Sequence, residues 1–294
     1  MPELPEVETV VRGLDRLIVG KKFSAVEFDW LKSFPNSDND SDVFLVSAMI
    51  IKVRRRAKVI LIDLSSLYTL VIHLKMTGQL VYVPEQQMQE RFGAGHPSDS
   101  LVGNLPDNST RVRLTFDDGS HLFFNDQRKF GWMKLIPTNM VNELPFFQKV
   151  GPEPLSEKFT YDVFLARAMR RKNSNIKAVL LDQTVLAGIG NIYADESLWM
   201  SKIHPETKVI DISNDLFRKL HISIIEVLTL SIEKGGSTNR NYVNAEGKKG
   251  SYMDFAKVFR RENQPCTRCG TVIIKTRVAG RGTHTCPGCQ SVII

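Results

Sequence analysis

The chain has 294 residues, of which 42% are hydrophobic, so it has enough apolar side chains for two or three folded domains. The formal net charge of +7 is concentrated near the end: residues 234–294 hold 11 Lys and Arg against 3 Asp and Glu, and the rest is close to neutral. No apolar run reaches the roughly 18 residues of a membrane span, and the first residues lack a secretion-signal pattern. These features exclude a membrane-spanning chain and predict a cytoplasmic protein or, in a cell with such compartments, a nuclear or organellar one. The charge favours a polyanionic partner, with nucleic acid ahead of membrane.

The first predicted element is a helix over residues 5–18, where apolar residues recur at helical spacing. Once the initiator Met1 is removed, Pro2 carries a secondary amine whose pKa, about 8, leaves a useful fraction unprotonated at neutral pH. Such an amine can attack carbon and form an iminium, and Glu3 would transfer a proton beside it. The same residues would also serve as an ordinary helix start, with proline and acidic residues in the first turn.

The region from residue 23 to residue 136 has the short, β-rich runs and Gly/Asp turns of a β-sandwich that packs with the first helix. Two polar stretches, 34–42 and 93–109, are predicted to be exposed loops. The predicted strands are 24–28, 43–53, 58–64, 68–74, 79–83, 111–116, 121–124 and 132–136.

A proline-containing linker at 150–155 precedes a helical region, so the whole chain is predicted to be an α+β multidomain protein. Its predicted helices are 158–170, 175–182, 190–201 and 214–233. Gly188 and Gly190 stand just before one of them. They would free the N-terminal N–H groups of that helix for a phosphate, with Asn191 beside it, or they would form a plain turn; the sequence favours neither.

All four cysteines lie near the end of the chain, in a C-x2-C-x16-C-x2-C pattern. The pattern predicts one structural zinc ion held by Cys266, Cys269, Cys286 and Cys289, since four thiolates leave no open coordination position. The competing interpretation, two disulfides, is disfavoured by the absence of a secretion signal. Short strands between the two pairs would form a hairpin with Arg281 at its tip, where its guanidinium would contact a phosphate.

Seven motifs in order make the chain resemble the formamidopyrimidine-DNA glycosylases, bacterial enzymes that excise 8-oxoguanine and ring-opened purines. They are PELPEVET at 2–9, RRAK at 55–58, HLKMTG at 73–78, DQRKFG at 126–131, LLDQ at 180–183, AGIGNIYADE at 187–196 and GRGTHTCPGCQ at 280–290. Leu4 favours this branch over the related endonuclease VIII group, which has Gly at that position.

The resemblance implies three domains, with damaged double-stranded DNA in a cleft between them. They are an N-terminal β-sandwich catalytic domain over 1–138, a helix–two-turn–helix domain over 150–256 with a lid loop at 235–252, and a zinc ribbon over 257–294. It further implies a monomer in the bacterial cytosol.

The resemblance also assigns catalytic roles. Pro2 would attack C1′ of the damaged nucleotide, and Glu3 would protonate the deoxyribose ring oxygen. The Schiff base would then undergo β- and δ-elimination, with Lys58 and Arg281 holding phosphates and assisting. Taken alone, Lys58 could equally be a surface lysine.

The remaining implied residues contact DNA. Met76, Arg128 and Phe130 match a trio that fills the space left by an extruded nucleotide, although Met76 and Phe130 alone would suggest core packing. Lys172, Lys177 and Asn191 correspond to the phosphate-binding region of the helical module.

The chain departs from the family pattern at three positions. Residues 108–111, around Ser109, stand where the family often has a His-containing stretch, so a DNA contact usually made there by histidine would be lost or supplied by His96. Asn173 replaces an expected lysine, with Lys172 beside it, and Gln127 replaces a frequent proline. Two alternatives stay open: a sister enzyme that prefers oxidised pyrimidines, and a non-catalytic DNA-binding protein in which Pro2 is dispensable.

Overall fold

The computed structural model describes residues 1–86, 91–96, 98–237 and 252–291. These residues form two compact units. The first contains Met1–Gln148 and residues 234–237, and the second contains Lys149–Glu233 and residues 252–291. The division into three domains stays a prediction. Of the predicted lid, residues 238–251 lie outside the described residues.

The first unit is a β-sandwich with a helix packed on it, as predicted. Its helices and strands are α1 (Leu4–Ile18), β1 (Phe23–Phe28), α2 (Asp38–Phe44), β2 (Ile50–Arg56), β3 (Val59–Leu64), β4 (Tyr68–His73), β5 (Gly78–Val83), β6 (Phe92–Gly95), β7 (Thr110–Phe116), β8 (His121–Asp126), β9 (Trp132–Pro137) and α3 (Pro145–Lys149), which ends at the unit boundary. One described sheet has the antiparallel order β1-β7-β8-β5-β6, and the other has the order β2-β3-β4-β9.

One hydrophobic core joins the two sheets and α1. Leu14 of α1, Ile60 and Ile62 of β3, and Leu80 and Phe124 of the larger sheet are completely buried in it. Alternate residues of most of the strands, such as Ile60 and Ile62, belong to this core, as the period of a pleated strand requires. The β-branched runs that predicted the sandwich are therefore the residues that build it.

Glycine at position 13 lets α1 approach β6 closely. A Cβ atom at Gly13 would lie 2.1 Å from the ring of Phe92, so no larger residue fits without displacing that ring. The contact fixes α1 against the edge strand of the larger sheet, and it thereby fixes where the N-terminus of α1 lies.

Two stretches of this unit differ from the prediction. Residues 38–44, divided between a predicted loop and a predicted strand, form α2, because the hydroxyl of Ser37 accepts the N–H of Asp40 at 3.0 Å and caps the helix. The predicted loop at 93–109 begins with part of β6, which pairs with β5. It also contains the buried side chains of Ala94 and Leu101.

The second unit is helical and ends in a hairpin. Its elements are α4 (Tyr161–Met169), α5 (Ile176–Leu181), α6 (Asn191–Ser201), α7 (Asn214–Glu233), β10 (Ile274–Val278) and β11 (Arg281–Thr285). Apolar residues of the four helices share one core, and α6 packs against both α7 and β11. The α+β fold class is confirmed. None of the helices in the described ranges is long and apolar enough to cross a membrane.

A tight turn of two residues joins β10 to β11. Ala279 and Gly280 both have positive φ, +50° and +72°, which is the conformation that joins twisted antiparallel strands most directly. Val278 pairs with Arg281 across the turn, so the exposed Arg281 is the first residue after it.

Candidate active site

The predicted nucleophile and proton donor lie at the start of α1. Pro2 is buried, and the side chain of Glu3 is 4% exposed. The carboxylate of Glu6 accepts the backbone N–H of Glu3 at 2.8 Å and that of Ser237 at 2.7 Å. One buried carboxylate therefore holds both the beginning of the helix and the first residues of the predicted lid.

Lys58 lies in the tight turn between β2 and β3, beside α1. Arg55 ties the turn to that helix: its Nε donates to the Glu8 carboxylate at 3.0 Å, and its terminal nitrogen donates to the carbonyl of Ala57 at 3.0 Å. Lys58 itself is only 6% exposed. It is thus a buried lysine and not the surface lysine that the sequence alone allowed.

The charge of Lys58 also acts on His73, a residue that sequence reasoning quoted in a motif without giving it a role. Burial, followed by the positive charges of Lys75 and Lys58, lowers the pKa of His73 to about 3. The imidazole is therefore neutral at physiological pH, and it offers a hydrogen bond without a charge. The signal in the sequence was that His73 stands between Lys58 and Lys75, two lysines of the motifs at 55–58 and 73–78.

The three predicted void-filling residues lie on two adjacent turns of the first unit. Met76 is 36% exposed and Phe130 is 53% exposed, so neither is a core residue. The guanidinium of Arg128 lies 4.8 Å from the centre of the Phe130 ring. Exposed large apolar side chains at turn tips are suited to contacting a partner, as the resemblance implied.

Asp126 holds these turns together, and sequence reasoning did not single it out. Its completely buried carboxylate accepts the backbone N–H groups of Phe130 at 2.8 Å, of Gly131 at 2.6 Å and of Arg128 at 3.2 Å. It also accepts the hydroxyl of Thr77, the residue after Met76. An aspartate immediately before a turn is a known signal for such bonds.

Two of the predicted phosphate contacts of the second unit, Lys177 and Asn191, bond to the hairpin. Lys177 is completely buried, and its Nζ donates to Asp195 at 2.6 Å, to the hydroxyl of Thr283 at 2.7 Å and to the carbonyl of Gly282 at 3.2 Å. Asn191 donates to the same carbonyl at 2.8 Å.

These bonds give the two residues a structural role in the hairpin. Lys177 has no exposed surface. Its ammonium donates to three acceptors, two of them in the hairpin, and it therefore braces the hairpin next to Arg281. A direct phosphate contact by Lys177 stays a prediction, as does one by Asn191. Arg281 and Lys172 are exposed, which leaves their side chains free to reach solvent or a ligand.

A second buried carboxylate, Glu196 of α6, fixes the segment that leads to the hairpin. It accepts the backbone N–H groups of Lys257, Val258 and Phe259 at 2.8–2.9 Å. Burial raises the pKa of Glu196, and these hydrogen bonds oppose the shift. The arrangement fixes the chain between α7 and the cysteines, where Val258 is also buried in a small apolar cluster.

The four cysteines converge on one point. Their sulfur atoms all lie within 4.8 Å of one another, with pairs at 3.4 and 3.9 Å. A tetrahedron of sulfurs about 2.3 Å from a zinc ion has edges of about 3.8 Å, so the spacing fits the ion. Trp199 Nε1 and the N–H of Arg268 both approach Cys266 Sγ at 3.4 Å, and such donors favour the thiolate.

The chain matches three family models. They are the formamidopyrimidine-DNA glycosylase N-terminal domain over residues 1–133, the formamidopyrimidine-DNA glycosylase H2TH domain over residues 150–243, and the zinc finger found in FPG and IleRS over residues 263–292. The four-cysteine cluster lies within the third match, and we assign it to one structural zinc ion, as predicted.

Known proteins are similar over nearly the whole chain. The formamidopyrimidine-DNA glycosylases of Streptococcus pneumoniae (strain R6) and Ligilactobacillus salivarius are each 40% identical, and the matches cover 99% of this chain and 99% of theirs. The Lactococcus lactis Fpg in complex with abasic-site DNA is 34% identical, with a TM-score of 0.85 over 98% of this chain and 99% of that one. MutM in complex with DNA containing carbocyclic 8-oxo-G is 34% identical, with a TM-score of 0.83 over 99% of this chain and 100% of that one. The chain therefore belongs to the formamidopyrimidine-DNA glycosylase family.

Proposed function

We propose that this chain is a bifunctional DNA glycosylase and abasic-site lyase of base excision repair. Its substrate would be double-stranded DNA that carries an oxidised purine, 8-oxoguanine or a formamidopyrimidine, in the bacterial cytosol. The observation that carries the proposal is the chain start: Pro2 and the buried Glu3 lie together at the N-terminus of α1, in a member of this family. Solved relatives bound to abasic-site DNA and to 8-oxo-G DNA support it.

The chemistry follows from the secondary amine that Pro2 carries once Met1 is removed. Its nitrogen would form a bond to C1′ of the damaged nucleotide while the bond from C1′ to the base breaks. The nitrogen of Pro2 would then lose its proton to solvent, and the freed electron pair would form the C1′=N bond of an iminium as the C1′–O4′ bond breaks and Glu3 protonates O4′. Elimination of the 3′ and then the 5′ phosphate would cut the strand on both sides.

A base inside a duplex is out of reach of Pro2, so the nucleotide must first leave the stack. Phe130 would enter the stack, Met76 would occupy the vacated space, and Arg128 would hydrogen-bond the unpaired cytosine. The rigid turns around Asp126 support these roles, because a wedge held in place loses little conformational entropy when DNA binds.

Phosphates would be held by residues of both units. In the second unit the candidates are Arg281, Lys172 and Asn191, and in the first unit the candidate is Lys58. The zinc ion, bound by the four cysteines, would make the hairpin rigid without taking part in the reaction. Such contacts predict that affinity for DNA falls steeply as the salt concentration rises.

A lesion panel tests the proposal. The protein, with removal of Met1 verified by mass spectrometry, is incubated in excess with duplexes carrying 8-oxoguanine opposite cytosine, an oxidised pyrimidine, or an abasic site. We expect strand cleavage at 8-oxoguanine and at the abasic site, and slower cleavage at the pyrimidine. Faster cleavage at the pyrimidine would indicate the sister specificity, and binding without cleavage of any duplex would indicate a non-catalytic DNA-binding protein.

A further inference from the structure

Two turns of the first unit lie side by side and connect the same two sheets. The Met76 turn (residues 74–77) leads from β4 to β5, and the Arg128 turn (residues 127–131) leads from β8 to β9. Because β4 pairs with β9 and β5 pairs with β8, the ends of one turn adjoin the ends of the other. The residue pairs at these ends are His73–Trp132 and Gly78–Asp126.

The half-buried side chain of Thr77 links the two turns. Its hydroxyl donates to the buried carboxylate of Asp126 and accepts the backbone N–H of Arg128 at 3.2 Å. The same N–H also donates to Asp126 at 3.2 Å. Thr77 directly follows Met76, so one hydroxyl joins the backbone beside Met76 to the backbone of Arg128.

Close packing of the backbone leaves little room for one turn to move alone. A Cβ atom at Gly131, the last residue of the Arg128 turn, would lie 3.0 Å from the carbonyl oxygen of His73 and 2.6 Å from the Phe124 ring. A Cβ atom at Gly78 would lie 2.4 Å from the carbonyl oxygen of Leu74, which accepts the Gly78 N–H at 2.9 Å. A displacement of the Arg128 turn is therefore passed on to the Met76 turn.

Under the proposed function, the two turns act on opposite strands at one base pair. Met76 occupies the space of the extruded nucleotide, and Arg128 bonds the base that has lost its partner. Cytosine presents two adjacent acceptors, N3 and O2, to a guanidinium, whereas adenine presents one acceptor beside an amino donor. Arg128 is thus held in place by cytosine and displaced by adenine.

We propose that Thr77 is a positioning residue that makes base excision depend on the opposite base. Its hydroxyl transmits the position of Arg128 to Met76, so that Met76 fills the vacated space fully only when Arg128 is bonded to cytosine. The inference rests on the proposed function and adds to it a residue that sets specificity. Thr77 itself contacts neither the reacting atoms nor the bases.

The test measures single-turnover excision of 8-oxoguanine opposite cytosine and opposite adenine, with enzyme in saturating excess. It compares the wild type with Thr77→Val, which removes the hydroxyl at nearly constant volume, and with Thr77→Ser, which keeps the hydroxyl. Thr69→Val is the matched control. It also removes a threonine hydroxyl that donates to an aspartate carboxylate, that of Asp63 at 2.7 Å, but Thr69 lies outside both turns.

The wild type should act faster opposite cytosine. Thr77→Val should lower the ratio of the two rates by about 10-fold, mainly by slowing the reaction opposite cytosine, as expected for the loss of a hydrogen bond to a charged group. Thr77→Ser and Thr69→Val should keep the wild-type ratio. Asp126 still accepts three backbone N–H groups in Thr77→Val, so the variant should fold. If it does not, Thr77→Ala is measured in its place.

A general loss of stability slows both reactions alike and leaves their ratio unchanged. Equal slowing opposite both bases in Thr77→Val would therefore make Thr77 merely structural and overturn the proposal. A changed ratio in Thr77→Ser, or a wild type without preference between the two bases, would overturn it as well. A wild type that neither excises 8-oxoguanine from either duplex nor cleaves an abasic site would instead show that the proposed function fails.

Discussion

The two units hold the exposed residues that are predicted to contact DNA with buried charges of opposite sign. In the first unit, the carboxylate of Asp126 accepts backbone N–H groups and thereby fixes the turn that presents Arg128 and Phe130. In the second unit, the ammonium of Lys177 donates to a backbone carbonyl and fixes the turn that presents Arg281. A buried charge sets the geometry of a loop in both cases. Arg128, Phe130 and Arg281 are thus the residues predicted to meet DNA, and Asp126 and Lys177 orient the turns that carry them.

The two turns also differ in how much apolar core supports them, which explains why the zinc ion lies beside the hairpin and not beside the turn around Asp126. The turn around Asp126 belongs to a sheet with a large apolar core. The hairpin has a small one, made of Trp199, Val258, Ile273 and two cysteines. The metal therefore supplies the rigidity that apolar burial supplies in the first unit.

The largest expected effect belongs to Pro2, the proposed nucleophile. Pro2→Gly should nearly abolish excision of 8-oxoguanine, because the secondary amine is replaced by a less constrained primary amine. Its circular dichroism spectrum and DNA affinity should stay close to those of the wild type. Excision by Pro2→Gly at the wild-type rate would show that Pro2 is not the nucleophile.

Glu3→Gln should lower the excision rate by about 10²- to 10⁴-fold, since the amide cannot protonate O4′. Cleavage of a preformed abasic site should be less impaired, because the base has already left. Single-turnover rates on the two substrates measure this difference. Equal losses on both would assign Glu3 a role in later steps only.

Replacing one zinc ligand should affect the second unit alone. Cys269→Ser should release zinc and weaken DNA binding, because the hairpin that carries Arg281 loses its rigid frame. Metal content and fluorescence anisotropy with labelled duplex measure the two effects. An affinity equal to that of the wild type in a zinc-free Cys269→Ser protein would contradict the role of the ion.

Lys177→Met should destabilise the second unit by about 3–5 kcal/mol, since it leaves the buried carboxylate of Asp195 without its ammonium partner. Lys275→Met is the matched control. It removes an exposed ammonium paired with Glu262, a type of pair that contributes about 0–1 kcal/mol. Urea unfolding of both variants measures the difference. Similar midpoints would show that Lys177 is not the brace described above.

Phe130→Ala should have the smallest effect on stability, within about 0.5 kcal/mol, because the ring is more than half exposed. It should nevertheless slow excision of 8-oxoguanine more than cleavage at an abasic site, which needs less unstacking. A loss of stability without this selective slowing would instead show that the Phe130 ring stabilises the fold and does not enter the DNA stack.

The sequence predicted the features that depend on local pattern. The apolar spacing of α1, the β-rich runs of the sandwich and the spacing of the four cysteines led to correct elements and to the zinc site. Residues 38–44 were missed because this helix is polar and depends on the cap by Ser37. The burial of Lys177 could not be predicted, since its partners Asp195 and Thr283 lie 18 and 106 residues away. The bonds of Asp126 likewise depend on how β8 and the following turn lie beside Thr77, which local pattern does not specify.

Borohydride trapping followed by peptide mapping tests the central claim most directly. The protein without Met1 is incubated with a duplex that holds one 8-oxoguanine opposite cytosine, and the adduct is reduced, digested and sequenced by mass spectrometry. We predict a single covalent adduct on the nitrogen of Pro2. An adduct on a lysine such as Lys58, or no adduct with this lesion or with an abasic site, would contradict the account.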